Sequence, residues 1–305
     1  MDMNPEKVAV RIEEFICRHF QAFERDGVVL GMSGGIDSSV VAALAVRALG
    51  ADKLLALLLP ERDSSPNSKA DALKHIHALN IPYREVQMTP VLSEIGIYHL
   101  APLHLLGVRA IKEAVVKSQH KQQAEALHET PFRAGLLGTK NLPASKSVIN
   151  AGYAYARSKH RMRMLILYYY ADLENRLVLG TTNKSESLTG FVVKWGDNVA
   201  DIEPLLPLYK TQVRQLAAYL KIPQEIIDKA PSPDLIPGIV DETALGIDYA
   251  TLDRILWGLE HGWDSPRIQA EYTVSASQVA HVSEMRRRSL HLRQLPPAPD
   301  LAKDV

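Results

Sequence analysis

Apolar positions along the N-terminal third of the chain fall into two alternating patterns. Short apolar runs over Val28–Met32 and Leu54–Leu59 have the length of buried strands, and Pro82–Met88 is predicted to form a third strand. The segments between them, Ser38–Leu49 and Lys69–Leu79, repeat apolar residues with the period of an α-helix, and an amphipathic helix precedes the first strand. Strands and helices that alternate in this way form parallel sheets with helices on both faces. We therefore predict a doubly wound, Rossmann-like α/β fold in which ligands bind at the carboxyl ends of the strands.

The same alternation returns in the second half of the chain. It predicts a helix over Tyr153–Ala171, a strand over Leu177–Gly180 and a helix over Lys210–Leu220. No internal repeat is apparent, so residues 1–290 are expected to form a single domain. The remaining residues, 291–305, include the segment PPAPDLAKDV and are expected to form a C-terminal tail.

One segment, residues 107–150, departs from this alternation. It begins with a polar helix predicted over Val108–His128 and continues with a stretch rich in Gly, Pro, Ser and Thr. It carries seven Lys or Arg against three Glu, a local charge of +4. We interpret it as an excursion from the sheet, either a lid over a ligand site or a mobile surface arm.

The overall charge and the cysteine count exclude several function classes. Lys plus Arg and Asp plus Glu both number 35, so the net charge is zero and no global field favours binding to nucleic acid or to an acidic membrane surface. The longest apolar runs are too short to span a bilayer. The one cysteine, Cys17, excludes an internal disulfide or a multi-cysteine zinc site and fits a reducing compartment. We expect a soluble, cytoplasmic protein whose partners are small molecules.

The loop GMSGGIDSS lies between the first predicted strand and the helix that follows it. At such a position, unpaired backbone N–H groups and the positive end of the helix dipole favour bound phosphate. Gly34 and Gly35 would let a ligand approach the backbone closely. Additional hydrogen-bond donors are the hydroxyl groups of Ser33, Ser38 and Ser39. The loop is therefore a candidate phosphate site.

The same loop differs from the common γ-phosphate loop in two respects. It lacks the lysine of the GxxxxGK[ST] pattern, and it places an acid, Asp37, inside the phosphate site. An acid at that point is favourable only if a divalent metal ion neutralises it. The structural alternative is an ordinary N-capped turn, because serine and aspartate are common at such positions.

The string SGGIDSS after a buried strand resembles the pyrophosphatase loop of the adenine-nucleotide α-hydrolase superfamily, which implies the ATP pyrophosphatase form of the doubly wound fold. Members of that superfamily bind the leaving pyrophosphate of ATP. By this resemblance the loop residues that contact ATP would be Gly31, Met32, Ser33, Gly34, Gly35, Ile36, Asp37 and Ser38. The loop does not select the substrate, because synthetases for GMP, argininosuccinate, asparagine and modified tRNA bases share it.

A second stretch narrows the choice of substrate. The segment LVLGTTNKSESLTGFVVKWGDNVADIEPLLPLYKTQVRQLA, with HRMRMLILY before it and KAPSPDLIPGIVDETALGIDY after it, is similar to the corresponding parts of NAD synthetases. The resemblance covers most of the chain apart from the excursion and the tail. It implies an ammonia-dependent NAD synthetase, a ligase that converts the nicotinate carboxylate of deamido-NAD into the amide of NAD.

The same resemblance implies roles for individual residues. It places contacts to ATP at Thr181, Lys210 and Ser232 and magnesium ligands at Asp37 and Glu186. Contacts to deamido-NAD would be made by Arg161, Lys194, Asp201 and His291. NAD synthetases often follow this histidine with a lysine, whereas this chain has Leu292, and Arg293 could take the place of that lysine.

Several of these residues also have a purely structural interpretation. Glu186 could be an exposed helix residue, and Arg161 could lie on the polar face of its helix. Lys194 and Asp201 could form a solvated charge pair. Their joint spacing favours the functional interpretation.

The reaction that the resemblance implies has two steps. The carboxylate attacks the α-phosphorus of ATP and releases pyrophosphate, and ammonia then attacks the acyl-adenylate to give NAD and AMP. Asp37, Lys210 and Asp201 would act by electrostatics and positioning, with Mg²⁺ as the cofactor and without a covalent protein nucleophile. Because the one cysteine lies in a predicted amphipathic helix, we expect free ammonia as the donor. Similar synthetases are homodimers, which implies a homodimer here.

Two other functions stay open at this point. A tRNA-modifying or other carboxylate-amidating ATP pyrophosphatase would share the phosphate loop, and the basic excursion is compatible with RNA. The non-enzymatic alternative is a nucleotide-binding regulatory relative that has lost turnover. The presence of Asp37, Glu186 and Lys210 together argues against that loss.

Overall fold

The computed structural model describes residues 3–101, 107–140, 142, 146–232 and 234–299, and a parallel β-sheet lies at its centre. In these residues the sheet has the strand order β3-β2-β1-β4. Its strands are β1 (Gly27–Gly31), β2 (Leu54–Leu58), β3 (Tyr83–Glu85) and β4 (Arg176–Val178). Val29 of β1 pairs with Leu55 on one side and with Val178 on the other. This order puts β1 and the loop after it in the middle of the sheet.

Helices form most of the rest of the described chain. Before the excursion they are α1 (Pro5–Ala22), α2 (Ile36–Leu49), α3 (Pro66–Ala78), α4 (Thr89–Glu94) and α5 (Ile97–Leu100). They continue with α6 (Arg109–Leu127), α7 (Pro131–Ala134), α8 (Lys146–Leu173), α9 (Lys184–Thr189), α10 (Lys210–Tyr219), α11 (Gln224–Ile227), α12 (Asp241–Leu245), α13 (Tyr249–Glu260), α14 (Ser265–Tyr272) and α15 (Ala276–Arg288). Short 3₁₀ turns cover Ala51–Lys53 and Leu290–Leu292. Among the described residues, none of these helices combines the length and the apolar character needed to cross a bilayer.

Alternating side chains of the strands fill two apolar layers. Val28 and Leu30 belong to a core shared with α1, α2 and α10, whose buried members include Ile16, Val40 and Leu216. Val29 points to the other face, where it belongs to a core shared with α8 that includes Met164, Leu167 and Ala171. Both faces of the sheet are therefore covered by helices, and the predicted doubly wound α/β fold is confirmed.

The two outer strands differ from their predictions. The predicted third strand covered Pro82–Met88, but β3 spans only Tyr83–Glu85, and its side chains are exposed. β3 pairs with β2 alone and lies at the edge of the sheet, where short strands are common. β4 ends at Val178 rather than at the predicted Gly180, because Leu179 bridges Ile202 instead.

Of the two helices around the excursion, the first lies where it was predicted and the second begins earlier than predicted. α6 spans Arg109–Leu127, one residue shorter at each end than the predicted polar helix. α8 begins at Lys146 rather than at Tyr153, and Ile149 in the added turns is buried. Within the excursion, residues 141 and 143–145 lie outside the described residues.

The C-terminal helices form a third apolar layer to which the sequence pattern assigned no element. α13, α14 and α15 bury Leu256, Ile268 and Val282 against one another. Arg293, in the predicted tail, donates from Nη1 to the carbonyl oxygens of Ser187 and Leu188 at 2.8 and 2.9 Å. Its guanidinium is thus engaged by α9, which disfavours the suggested contact of Arg293 with deamido-NAD. The tail residues 300–305 lie outside the described residues.

Candidate active site

The loop between β1 and α2 has the backbone geometry of an anion site. Gly34 lies in the left-handed region with a φ of 72°, and a Cβ there would come within 2.1 Å of the Ser68 carbonyl oxygen, so only glycine fits. The Ser38 hydroxyl donates to the Gly35 carbonyl at 3.1 Å, and the Ser33 hydroxyl accepts from the Gly35 N–H at 3.2 Å. No described side chain caps the N-terminus of α2. Its first N–H groups are therefore available to a phosphate.

A cavity of about 480 Å³ lies beside this loop, at the carboxyl ends of β1, β2 and β4. This is the edge at which doubly wound folds bind ligands. The wall contains nearly all residues predicted to contact ATP or metal, namely Gly31, Met32, Ser33, Gly35, Ile36, Asp37, Ser38, Thr181, Glu186, Lys210 and Ser232. Gly34 belongs to the same loop but packs against Ser68 and is not part of the wall. The structure brings these residues together, and what they bind remains a prediction.

Lys210, in the first turn of α10, joins the two predicted metal ligands. Its Nζ atom lies 2.5 Å from Asp37 Oδ2 and 3.2 Å from Glu186 Oε1, and its side chain is 2% exposed. Burial alone would lower the pKa of this amine, but the carboxylates of Asp37, Glu186 and Asp241 outweigh burial and raise the pKa above its ordinary value. The lysine is therefore charged at neutral pH. We call Asp37, Glu186, Lys210 and Asp241 the carboxylate–lysine cluster.

Glu186 owes its position to a capping box at the start of α9. The Asn183 side chain accepts from the Glu186 N–H at 3.0 Å, and the Glu186 carboxylate accepts from the Asn183 N–H at 3.2 Å. The amide nitrogen of Asn183 also donates to Asp37 Oδ1 at 3.1 Å. One residue thus orients both acids. The sequence analysis missed Asn183, although Asn-Lys-Ser-Glu is a recognisable capping signal.

The donor set of this cluster fits a divalent cation. Burial, together with the neighbouring Asp37 and Asp241 carboxylates, outweighs Lys210 and raises the pKa of Glu186 to about 8, so a cation that binds this group at neutral pH would displace a proton from it. Two carboxylate groups suit Mg²⁺, which completes its shell with waters and phosphate oxygens. Among the described residues, no group of three or more His, Cys, Asp and Glu is arranged to hold a metal. A metal ion bound by Asp37 and Glu186 would therefore depend on phosphate oxygens for part of its shell.

The residues predicted to contact deamido-NAD lie outside the cavity wall, and three of them form a chain of contacts. Arg161 Nε donates to the carbonyl oxygen of Lys194 at 3.2 Å, and Lys194 Nζ donates to the carbonyl oxygen of His291 at 3.0 Å. Arg161 and His291 are exposed. The structure brings the three residues together on the surface, while their role remains a prediction.

Asp201, the fourth of these residues, takes a different place. Its Oδ2 atom accepts from the Val178 N–H at 2.8 Å, and its Oδ1 atom accepts from the Tyr168 hydroxyl at 3.2 Å. These bonds support the end of β4. The alternative of a solvated pair with Lys194 is not what the structure shows, because Lys194 contacts the His291 carbonyl instead.

A second buried network, which the sequence analysis missed, holds the segment after β2. Lys159 Nζ lies 2.9 Å from Glu61 Oε1, and neither side chain is exposed. The Tyr98 hydroxyl donates to Glu61 at 2.9 Å, and the Tyr155 hydroxyl donates to Asp63. The residues that follow this segment line the cavity. A signal was present in the sequence, because acids directly after a buried strand lie at the ligand-binding edge of the sheet.

The described part of the excursion forms a wall of the cavity, which favours a lid over a surface arm. Arg109, at the start of α6, donates to the carbonyl oxygens of Asp63 and Ser64 at 3.3 and 3.2 Å. Glu113 and Lys117, further along the same helix, line the cavity. The excursion is thus attached to the segment after β2 and encloses the same space as the phosphate loop.

Glu203 lies behind the cavity wall as a buried acid. Its Oε2 atom accepts from the Thr182 N–H at 3.2 Å, whereas its Oε1 atom is buried and has no hydrogen-bond partner among the described residues. Burial raises the pKa of Glu203 to about 8, and the Asp197 and Glu186 carboxylates add to this rise. Glu203 is therefore largely protonated at neutral pH.

We expect Glu203→Gln to remove part of the pH dependence of stability. The pKa of Glu203 is raised from 4.5 to about 8 in the folded protein, so the folded state binds more protons than the unfolded state in that window and stability falls as pH rises through it. The fall is about 1.4 kcal/mol per pH unit for one such group. Urea unfolding near pH 6 and near pH 8 measures it. From the lower to the higher pH, the free energy of unfolding of the variant should increase relative to that of the wild type. If the two free energies differ by the same amount at both pH values, Glu203 does not titrate in this range.

Comparison with known proteins identifies the family. The family model for NAD synthase matches the chain over residues 8–142 and 143–296. The chain belongs to the NAD synthase family. A relative from Coprothermobacter proteolyticus, named NH(3)-dependent NAD(+) synthetase, is 44% identical over 252 residues, which are 83% of this chain and 84% of the relative. A relative of the same name from Thermotoga maritima is 42% identical over 276 residues, which are 90% and 95% of the two chains.

Solved structures related to the NAD synthase family agree with the fold. The NMN synthetase from Francisella tularensis aligns with a TM-score of 0.71 and 29% identity, covering 98% of this chain and 100% of that one. The NH3-dependent NAD synthetase from Campylobacter jejuni aligns with a TM-score of 0.67 and 26% identity, covering 98% and 100% of the two chains. The predicted resemblance to NAD synthetases, enzymes of the ligase class, is confirmed.

Proposed function

We propose that this member of the NAD synthase family forms NAD from deamido-NAD, ATP and ammonia. The observation that carries the proposal is the convergence of the phosphate loop with Asp37, Glu186 and Lys210 at one cavity. The choice of deamido-NAD and ammonia is supported by relatives named NH(3)-dependent NAD(+) synthetase that align with at least 83% of the chain. We place the reaction in the cytoplasm, with which the free thiol of Cys17 is compatible.

The first step transfers the adenylyl group of ATP to the nicotinate carboxylate. The N–H groups at the start of α2 and the ammonium group of Lys210 would hold the leaving pyrophosphate, whose charge grows as its bond to the α-phosphorus breaks. Bound by Asp37 and Glu186, Mg²⁺ would neutralise charge on the phosphate oxygens. Thr181 and Ser232 would contribute hydroxyl contacts to ATP. Positioning and charge stabilisation are sufficient for this step, so no protein nucleophile is needed.

In the second step, ammonia attacks the carbonyl carbon of the acyl-adenylate and AMP leaves. Water would hydrolyse the same activated acyl group, so its exclusion is part of the catalysis. The wall formed by α6 and the segment after β2 would exclude water, because Arg109 of α6 donates hydrogen bonds to that segment. Asp201 would act through the end of β4, which it holds, rather than through direct contact with the reacting atoms.

The remainder of the dinucleotide would extend from the cavity to the surface chain of Arg161, Lys194 and His291. Arg161 and Lys194 are cationic, and a dinucleotide carries an anionic pyrophosphate, so the contact is electrostatically favourable. Binding would require the Lys194 ammonium to exchange its bond to the His291 carbonyl for a bond to the ligand.

We also propose that the chain forms a homodimer through α8. Leu165, Tyr169 and Leu173 follow one another at intervals of four residues along this helix and are 63, 59 and 60% exposed. A row of large apolar side chains with this spacing is typical of a helix–helix contact. In analytical ultracentrifugation at micromolar concentration, Leu165→Glu is expected to be a monomer, and the wild type and Leu137→Glu, an equally exposed control at 63%, are expected to be dimers. A monomeric wild type would contradict the proposal.

The assay for the proposed function measures NAD formed from deamido-NAD, ATP and Mg²⁺, with ammonium or glutamine as the nitrogen donor. We expect turnover with ammonium and none with glutamine. The structural likeness to an NMN synthetase supports a second candidate substrate, nicotinate mononucleotide, which carries the same carboxylate. The two values of kcat/KM decide between the substrates. If neither substrate is amidated while ATP still binds, the proposed function is wrong.

A further inference from the structure

Arg163 of α8 lies in the cavity wall and, unlike three other cations of that wall, forms no ion pair with a described residue. Lys210, Lys229 and Arg109 each lie 2.5 to 2.8 Å from a carboxylate oxygen. Lys117 has no such pair, but it is exposed to solvent. Arg163 is partly buried and forms no hydrogen bond or ion pair with any residue that the structure describes. Among the described residues of the wall, the Arg163 guanidinium is therefore available to a ligand.

The surroundings of Arg163 favour an anionic ligand. Burial lowers the pKa of its guanidinium, and the carboxylates of Glu61, Asp234 and Asp197 offset this effect without contacting it. Arginine stays charged in proteins despite such a shift. A cation removed from bulk water without a direct partner is unfavourable, and a bound anion would relieve that cost.

Arg163 lies across the cavity from the phosphate loop. The loop leads into α2, which covers one face of the sheet, whereas α8 covers the other face. Leu167 lies level with the end of β1, because a Cβ on Gly31 would meet it at 3.6 Å. α8 runs back towards the start of β4, so Arg163, four residues before Leu167, lies about 6 Å further out beyond the carboxyl end of the sheet.

The chemistry of the first step indicates which anion would bind beside Arg163. Displacement at the α-phosphorus proceeds with the attacking and leaving oxygens roughly in line. If the phosphate loop holds the leaving pyrophosphate, the attacking carboxylate oxygen comes from the opposite side, which is the side of α8. A carboxylate that approaches a triphosphate is repelled, and a guanidinium beside it lowers that repulsion. Arginine also matches a carboxylate with two parallel N–H donors.

We propose that Arg163 binds the nicotinate carboxylate of the substrate opposite the phosphate loop and makes the site prefer the acid substrate over the amide product. The inference rests on the proposed function and assigns a specificity residue to it. After amidation the group beside Arg163 is neutral and the charge-assisted hydrogen bonds are lost. Product binding is thereby weakened relative to substrate binding.

The experiment compares the dissociation constants of deamido-NAD and NAD, measured by calorimetry with α,β-methylene ATP bound. The proteins are the wild type, Arg163→Met, Arg163→Lys and the control Arg254→Met, since Arg254 is exposed and outside the cavity wall. The wild type and the control should bind the acid about tenfold or more tightly than the amide, which is the ratio that a charge-assisted hydrogen bond supplies. Arg163→Met should lose this preference with little change in NAD affinity, and Arg163→Lys should keep part of it.

Two results would overturn the inference. Equal weakening of acid and amide in Arg163→Met would mean that Arg163 does not sense the carboxylate, and loss of α,β-methylene ATP binding would mean that it serves the phosphates of ATP. If the methionine variant does not fold, Arg163→Lys tests the inference instead. Its preference for deamido-NAD over NAD should be smaller than that of the wild type, while its affinity for NAD is unchanged. Wild-type turnover is measured separately. If the wild type does not amidate deamido-NAD, the acid and amide forms of the mononucleotide provide the same comparison.

Discussion

Lys210→Met is expected to lower the free energy of unfolding by about 3–5 kcal/mol, because it removes a buried cation from between two largely enclosed carboxyl groups. Lys210 contacts Asp37 and Glu186 directly, and its charge also acts on Asp241. Methionine fills a similar volume, so the loss reports the charge more than the packing. Turnover should be lost as well, since the same ammonium group is assigned to the leaving pyrophosphate.

The pH dependence of this loss is the sharper test. Without the lysine, the pKa values of Glu186 and Asp241 rise further, so the folded variant binds protons that the unfolded chain does not, and its stability increases as pH falls. Urea unfolding should therefore show a smaller gap between wild type and variant near pH 5.5 than near pH 8. The control is Lys121→Met, because Lys121 forms an ion pair with Glu125 and its side chain is 80% exposed. This variant should change the free energy of unfolding by less than about 1 kcal/mol. A gap independent of pH would mean that these carboxylates do not respond to Lys210.

Asp37→Asn is expected to reduce kcat for NAD formation about 10²–10³-fold while leaving the protein folded. Asparagine keeps the shape of the side chain, and its oxygen can still accept from Asn183, but it lacks the charge assigned to the metal. The half-saturating Mg²⁺ concentration should rise for the same reason. Asp52→Asn, at an exposed position outside the cavity wall, is the matched control and should leave both quantities unchanged.

The stability of the Asp37→Asn protein separates a functional role from a structural one. Removal of one carboxylate lowers the repulsion on Glu186, so the pKa of Glu186 should fall and Glu186 should remain as the charged partner of Lys210, which keeps the loss of stability well below that of Lys210→Met. Near-wild-type kcat would refute the assignment of Asp37 to the metal. Lost activity together with lost stability would instead indicate that Asp37 serves mainly as the partner of Lys210.

The outcome for individual residues shows where sequence reasoning is reliable. Residues of the phosphate loop were predicted together because they are adjacent in sequence and their turn demands small residues, as the contact at Gly34 demonstrates. Arg161 and Arg163 illustrate the opposite case. Two residues apart on a helix, they point in different directions, and only the packing of α8 on the sheet puts Arg163 in the cavity wall and Arg161 on the surface.

Contacts between charged residues far apart in sequence are also decided by how the helices and strands pack. Nothing local distinguishes Lys159 from a solvated helix lysine, yet it is fully buried against Glu61 because the segment after β2 folds onto α8. Asp201 was assigned to the ligand by resemblance, whereas its contacts in the structure are with Val178 and Tyr168. Partners of this kind are separated by tens of residues, so no sequence periodicity reports them.

By itself, the sequence determined the doubly wound fold, the phosphate loop and the relationship to NAD synthetases, because each depends on local periodicity or on contiguous motifs. Only the tertiary structure decided that Lys210 lies between Asp37 and Glu186, that the excursion helix α6 lines the cavity, and that Arg163 lines the same cavity as the phosphate loop. The physical reason is that charge compensation and enclosure depend on distances between elements, and those distances follow from how the helices pack on the two faces of the sheet.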